Sequence, residues 1–469
     1  MRLAARRSSI ETPRDFAPVR AFARYARRVS LPKTCIVGAG SSGIAAAKVL
    51  SQRGLPFDCF EKSDRVGGNW VYRNKNGMSA CYRWLHINTS RERMQFHDFP
   101  MPRDYPDFPS HAQIARYFEA YVDHFDVRRR ITFESEVRRV ARRDDGRFEV
   151  TVALDCYAAS PRLETRTYEA VIVANGHHWD PRFPDPPFPG RFDGVVMHAH
   201  AYDTPDVFTG KRVVVLGMGN SAMDIAVEAS YVAERVVICS RRGAWIVPKY
   251  MFGRPLDTIF VDPRVPFRIR RRIGEAMLAA MVGDLTRYGL PMPDHRFGSA
   301  HPTISGRILD RMTHGAITYR PNIAELSGDR IRFVDGTEER ADVLVYATGY
   351  KVTFPFFEPG FVSAKDNDLP LFRRVFHPDI PGLFFVGLLQ PLGAVMPLAD
   401  AQSEWIAEHL RGEYALPSPR EIAKDMERER AAMFERYVPS ARHTMQVDFD
   451  EYLLELDEER ARGRKRARA

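Results

Sequence analysis

At 469 residues the chain has room for two or three domains, each large enough to bury its own core. A composition that is 44% hydrophobic and 28% charged excludes global disorder, and no apolar run approaches the ~18 residues of a membrane-spanning helix. The net charge of +9 suggests a nucleic-acid footprint only until it is located: residues 1–33 carry +7 and residues 460–469 carry +6, leaving −4 between them. The basicity belongs to two tails, so nucleic acid is not an expected partner. Cys35, Cys59, Cys81, Cys156 and Cys239 lack the spacing of a zinc site, a disulfide framework or a CxxC pair, which fits a reducing, cytoplasmic setting.

Residues 1–32 are Arg-rich, poor in acids and without periodicity. They read as a disordered basic extension, with a targeting segment or a start placed too far upstream as alternatives. Thr34–Val37 is then a short apolar run ending in glycine, followed by a helix over Ser42–Arg53 and a strand over Phe57–Phe60, an order that implies a parallel sheet. A helix is expected over His111–Phe125, with strands at Ile131–Phe133, Phe148–Val152 and Val171–Ala174. Pro181–Pro189 reads as a linker. The pattern restarts with a strand at Arg212–Leu216, a helix over Ser221–Ala233 and a strand at Val236–Cys239. Strands at Arg330–Val334, Val343–Tyr346 and Leu383–Val386 and a helix over Leu398–Leu410 complete the body. The two β-turn-α starts, about 180 residues apart, are the internal repeat.

Each start carries a glycine loop. In the first, Gly38 permits the tight turn out of the strand, Gly40 lets backbone N–H groups approach a pyrophosphate, and Gly43 lets the helix pack close to the strand. Ala39, Ser41 and Ser42 complete this loop, and Glu61 at the end of the next strand is placed to bond ribose hydroxyls. The second loop runs through Gly217, Met218, Gly219, Asn220, Ser221 and Ala222, with alanine in the third small position. Its next strand ends in Arg241-Arg242 in place of an acid, and a cation there suits a 2′-phosphate. Two nucleotides with different ribose readers imply FAD plus NADP(H).

With these loops in place, further strings resemble the flavin-containing monooxygenases. They are Val66-Gly67-Gly68-Asn69-Trp70, His86-Ile87-Asn88-Thr89-Ser90, Asp98-Phe99-Pro100-Met101-Pro102, Ala347-Thr348-Gly349-Tyr350 and Gly387-Leu388-Leu389-Gln390-Pro391-Leu392-Gly393. Phe192, Gly194, His198 and Tyr202 fit that family's F-x-G-x-x-x-H-x-x-x-[YF] signature. The resemblance covers about residues 33–445. It implies an α/β fold of two Rossmann-like dinucleotide-binding domains, with an FAD domain (33–178 and 346–445) interrupted by an NADPH domain (179–345). Residues 446–469 then form a charged C-terminal helix or tail. The crossings fall near Val171–His178 and Val343–Tyr350.

The resemblance assigns Gly38, Ala39, Gly40, Ser41, Ser42, Gly43, Glu61, Asn69, Trp70 and Thr89 to FAD, and places Gln390 near the isoalloxazine edge. Asn88 takes the catalytic position at the flavin, beside the nicotinamide. Gly217, Gly219, Asn220, Ser221, Ala222, Met223, Asp224, Arg241 and Arg242 go to NADP(H), and His198 organises the NADPH domain. The implied enzyme is an NADPH- and O2-dependent monooxygenase of the N,N-dimethylaniline type. It would oxygenate an amine nitrogen or a sulfide sulfur through a 4a-hydroperoxyflavin, with no metal and no catalytic dyad. A Baeyer–Villiger monooxygenase acting on ketones is the nearest alternative; that group typically ends the signature in Trp, where this chain has Tyr202. A non-enzymatic redox-sensing flavoprotein is the remote one. A homodimer stays open.

Other features carry plainer readings. His177 and His178 are adjacent, and on an extended chain their side chains point opposite ways, against joint metal ligation. Pro266–Met281 mixes Arg268, Arg270, Arg271 and Arg272 with apolar residues, as a solvent-facing helix or one lying on a membrane surface. Trp245 and Tyr250 are candidates to pack on adenine or in the core, and Phe354, Phe356 and Phe357 to line a pocket or the core.

Overall fold

The computed structural model describes residues 30–259, 262–438 and 444–469, so nearly all of the basic N-terminal extension lies outside the described residues. Two five-stranded parallel sheets organise the chain. The first has the order Leu383–Phe385, Ala170–Val173, Thr34–Val37, Phe57–Phe60, Ile131–Thr132; the second has the order Val195–His198, Val343–Tyr346, Arg212–Leu216, Arg235–Cys239, Thr318–Arg320. In both, the strand that feeds a glycine loop is central. These strands are apolar throughout because both faces are covered: Ile36 and Ile172 point into one core, and Cys35, Val37, Val171 and Val173 into another. The second sheet divides in the same way, with Val213 and Val215 on one side and Val214 and Leu216 on the other.

Helix α1 (Ser41–Gln52) covers one face of the first sheet. A short α2 (Arg91–Met94) and α3 (His111–His124) follow, the latter started by a Ser110/Gln113 capping box. A three-stranded antiparallel sheet, Glu136–Arg142, Phe148–Leu154 and Arg162–Tyr168, forms the other core. Phe354, Phe356 and Phe357 belong to that core, which decides against a pocket.

The second lobe contributes α4 (Asn220–Ala229), α5 (Phe267–Met281) and α6 (Arg307–Thr313). The chain then returns, and Leu383–Phe385 completes the first sheet after the second is finished, so one dinucleotide-binding domain interrupts the other. The two crossings run side by side, with Asp180–Pro181 antiparallel to Tyr350–Lys351.

Helices α7 (Met396–Leu410), α8 (Pro419–Arg436) and α9 (Phe449–Arg468) close the first lobe. The last of them is the charged C-terminal helix, and four of its arginines are held by buried acids. Arg460 and Arg464 both pair with Glu408, which is 2% exposed, and Arg462 and Arg466 pair with Glu459, which is 5% exposed. Tyr414 donates to the same Glu459 at 2.9 Å, and its ring lies where a side chain at position 463 would stand, so Gly463 is what lets α9 seat. The C-terminal charge neutralises buried acids.

Helix α5 leaves Arg268, Ile269, Arg272 and Ile273 exposed, while Arg270 is drawn inward to Asp448 and Glu451 at the start of α9. No helix among the described residues is long and apolar enough to cross a membrane.

Candidate active site

The two glycine loops are built alike. Gly38 has φ +98°, and a Cβ there would stand 2.8 Å from Ala174 O; Gly217 has φ +147°, and its Cβ would stand 2.6 Å from Ala347 O. Ala174-Asn175-Gly176 and Ala347-Thr348-Gly349 are thus equivalent, each lying under the first glycine of its own lobe's loop where the chain crosses. The third position differs. A Cβ on Gly43 would sit 1.9 Å from Gly38 O, whereas Ala222 is accommodated in the second lobe.

At the N-terminus of α1 the Gly40 cap offers no side chain, and an i→i−4 bond runs from Ile44 to Gly40 O at 3.0 Å. The N–H groups of Ser41, Ser42 and Gly43 are left without an intrahelical acceptor, at the positive end of the helix dipole. The Gly67–Trp70 turn docks over this end: Gly67 N–H bonds Ala39 O at 3.0 Å, and a Cβ on Gly68 would lie 3.1 Å from Gly40 Cα. Asn69 and Trp70 are thereby brought to the loop. Glu61 is buried, one carboxylate oxygen accepting from Ala39 N–H at 2.6 Å and the other from Ser63 N–H at 2.7 Å. Burial raises its pKa in spite of these bonds and one from the Asn76 side chain, and the carboxylate keeps acceptor capacity for a ribose hydroxyl. The Ser42 side chain is buried beneath Gly387.

In the second lobe the N-terminus of α4 is likewise uncapped by any side chain, with Ser221 exposed. Thr303 Oγ1 donates to Met218 O, and Ile304 N–H donates to Asn220 Oδ1 at 2.8 Å. Arg241 is exposed and has no side-chain partner among the described residues, while Arg242 pairs with Asp294 at 3.3 Å. Trp245 donates to His295 O and meets Phe297 edge-on, so its indole is committed to packing within this lobe.

Two residues expected at the nucleotide lie elsewhere. Met223 has its side chain in the core and its N–H bonded to Gly219 O, so it has no donor to offer. The Asp224 carboxylate accepts from Tyr82 O–H at 2.5 Å across the lobe boundary. One turn on, Glu228 accepts from Tyr202 O–H, the last signature residue, at 2.5 Å. The signature's His198 is buried; its Nδ1 accepts from His200 N–H, and burial pushes its pKa down to about 4. It packs against Tyr350 and Phe183 where the crossings meet, in a structural role. The His177 and His178 rings touch edge to face at 4.3 Å, contrary to the extended-chain argument, because the turn at Gly176 (φ +71°) ends the strand before them.

Glu228 yields a pH prediction. Burial raises its pKa to about 7, with the adjacent Asp224 adding to the rise and the Tyr202 bond opposing it. A carboxyl raised in the folded state favours folding at low pH, and that contribution is lost as pH climbs from the ordinary ~4.5 through about 7. Glu228→Gln keeps an acceptor for Tyr202 without the charge. Thermal unfolding is expected to show the variant ~1–3 kcal/mol more stable than the parent at pH 8 and no different near pH 5.

Asn88 has a half-buried amide with no hydrogen-bond partner among the described residues. Its neighbour Thr89 donates to Gly393 O at 3.2 Å, which joins the Asn88 segment to the turn after Gln390. Gln390–Leu392 pairs in parallel with Gln446–Asp448 and puts Gln446 directly beside Gln390. Lys249 Nζ donates to Ile87 O at 2.8 Å, and Asp257 Oδ2 accepts from Ser90 N–H at 2.6 Å. These main-chain contacts were missed from sequence, because a side chain that holds a distant carbonyl or amide leaves no motif. Away from the loops, His97, Asp98 and Asp400 cluster, and the buried Lys48 supplies their cation, 2.7 Å from Asp400 and 2.9 Å from Asp98.

A family model described as flavin-binding monooxygenase-like matches residues 32–462, a range that takes in most of α9. The chain belongs to this flavin-binding monooxygenase family. Flavin-containing monooxygenase 5 of Oryctolagus cuniculus is 35% identical over 90% of this chain and 82% of its own length. The N-oxide-forming dimethylaniline monooxygenase 2 of Pan troglodytes is 33% identical over the same shares. Among solved structures, the S-allyl-L-cysteine S-oxygenase of Allium sativum superposes with a TM-score of 0.69 at 26% identity, covering 92% of this chain and 88% of its own. This flavin monooxygenase is thus an oxidoreductase, and its first glycine loop, uncapped helix and Glu61 fit a dinucleotide.

Proposed function

We propose that this monooxygenase binds FAD in the lobe formed by residues 33–178 and 346–445 and NADPH in residues 179–345, and that it oxygenates a soft nitrogen or sulfur centre. The observation that carries the nucleotide reading is the contrast at the ends of the two ribose strands. Glu61 is tied back to its loop, whereas Arg241 stands exposed and unpaired beside the second loop, where a 2′-phosphate would meet it. The glycine cradles and uncapped helices fit two pyrophosphates.

When bound, the flavin supplies the activation of O2 and the transfer of one oxygen atom, after reduction by NADPH. The protein's part is to bind, orient and shield. Ser41, Ser42 and Gly43 would hold one pyrophosphate through their N–H groups, and Asn220, Ser221 and Ala222 the other. Asn88 presents an amide able both to donate and to accept, on a segment fixed by the buried Ile87 and by Thr89. Gln390 stands three residues before Gly393, whose carbonyl Thr89 bonds. No side-chain base is required, in keeping with the neutral, structural His198. The nitrogen and sulfur chemistry is supported by two relatives, one named for N-oxide formation and one for S-oxygenation.

Steady-state kinetics test the nucleotide assignment. Arg241→Ala is expected to raise KM for NADPH by ~10-fold or more, the scale of one charged hydrogen bond, and to leave KM for NADH within twofold. Equal losses with both nucleotides would remove Arg241 from the 2′-phosphate.

A further inference from the structure

The second glycine loop and the Asn88 segment lie in different lobes, yet an unbroken series of bonds joins them. Thr303 and Ile304 are fastened to the loop at Met218 O and Asn220 Oδ1. They pair in parallel with Ile246 and Val247, through Thr303 N–H to Trp245 O at 2.8 Å and Ser305 N–H to Val247 O at 3.1 Å. The chain leaves that pair, turns as a hairpin closed by Leu256 N–H to Lys249 O, and reaches into the first lobe. There Lys249 holds Ile87 O and Asp257 holds Ser90 N–H, so the two residues between, Asn88 and Thr89, are clamped on both sides. Tyr250 O–H to Asp107 at 2.8 Å, with an edge contact on Phe108, fixes the same hairpin to a third point.

Resting on the reading of the second loop as the NADPH site, we propose that residues 246–258 form a coupling arm that sets the placement of Asn88 according to whether that loop is filled, with Lys249 and Asp257 as its positioning residues. Two charged side chains bond main-chain groups at the two positions that bracket the expected flavin contact, and Lys249 also faces Asp224 on α4, one turn past the second loop. The clamp is also incompletely satisfied: Ser90 Oγ and Asp257 Oδ1 are both buried without a partner among the described residues. Such atoms are where a small shift of the arm finds new bonds, which gives the contact a second arrangement to move to. A filled second loop would bias the arm toward one of them, and so order Asn88 before oxygen chemistry begins.

Hydrogen–deuterium exchange on the FAD-loaded enzyme, with and without NADP⁺, tests this directly. In the parent, NADP⁺ is expected to slow exchange in peptides covering 217–224 and also 86–94. In Lys249→Met and Asp257→Ala the first peptide still responds and the second does not. Lys249→Arg restores the response. The same two variants are expected to release about tenfold more hydrogen peroxide per NADPH consumed, with KM for NADPH within twofold, because misplacement of Asn88 spoils coupling without touching the nucleotide site. Peptide 86–94 responding in both variants as in the parent would overturn the arm, as would a parent in which only 217–224 responds. A parent in which neither peptide responds would overturn the NADPH reading itself, and the arm with it.

Discussion

Removal of residues 460–469 is expected to destabilise the protein by roughly 3–5 kcal/mol, the cost of stripping the partners from buried charges. Glu408 would lose Arg460 and Arg464 together, and Glu459 would lose Arg462 and Arg466. Glu408 has its pKa held down by these two arginines against the opposing effect of burial, so without them a carboxylate in α7 faces desolvation with only the weaker pull of Arg53 against it. Helix α7 packs on α1, whose N-terminus is the proposed flavin pyrophosphate site, and the loss should therefore reach the cofactor. Thermal unfolding of the truncated chain beside a Glu408→Gln/Glu459→Gln version of it checks the cause. If the buried charges are responsible, the double substitution recovers most of the loss; if the truncated protein melts with the parent, the tail is solvated after all.

The second large effect is at Gly43. A methyl group there meets Gly38 O at 1.9 Å, a contact with backbone that no rotamer relieves, so Gly43→Ala must push α1 off the strand Thr34–Val37. The N–H groups of Ser41 and Ser42 move with the helix. The expected product is folded protein purified without flavin, with FAD affinity lowered by at least ~100-fold on the scale of about 3 kcal/mol for lost charged hydrogen bonds. Ala222→Gly in the other lobe is the matched control. Its position already carries a methyl group, so flavin content should not change. The ratio of flavin absorbance to protein absorbance reports both variants.

Much of the architecture was legible because buried parallel strands are short apolar runs and nucleotide loops need glycine where backbone meets backbone. Thr34–Val37 and Arg212–Leu216 were visible for that reason, and Gly38, Gly43 and Gly217 each have a steric cause in the structure. The antiparallel strands Glu136–Arg142 and Arg162–Tyr168 were not seen, since alternation on half-exposed strands dense in arginine gives little apolar signal. Net charge misled at the C-terminus. It counts Arg460 and Arg464 as loose cations, whereas their i, i+4 spacing on α9 points both at one buried glutamate 52 and 56 residues earlier.

Met223 and Asp224 differ from the residues before them, because helix geometry leaves free N–H groups only in the first turn, and these stand four and five past Gly219. The clamp at Asn88 was beyond reach by any such argument. Lys249 acts on the Ile87 carbonyl from 162 residues away, and a carbonyl is the same at every position.

On the proposed function, NADPH consumption is coupled to oxygen transfer onto a soft heteroatom. The most direct measurement counts NADPH oxidised, sulfoxide or N-oxide formed and hydrogen peroxide released in one reaction under air, with a thioether and then a tertiary amine as substrate. Close to one oxygenated product per NADPH is expected, with little peroxide and a cyclic ketone turned over more slowly than either. NADPH consumed with stoichiometric peroxide and no product, or a ketone preferred over both, would contradict it.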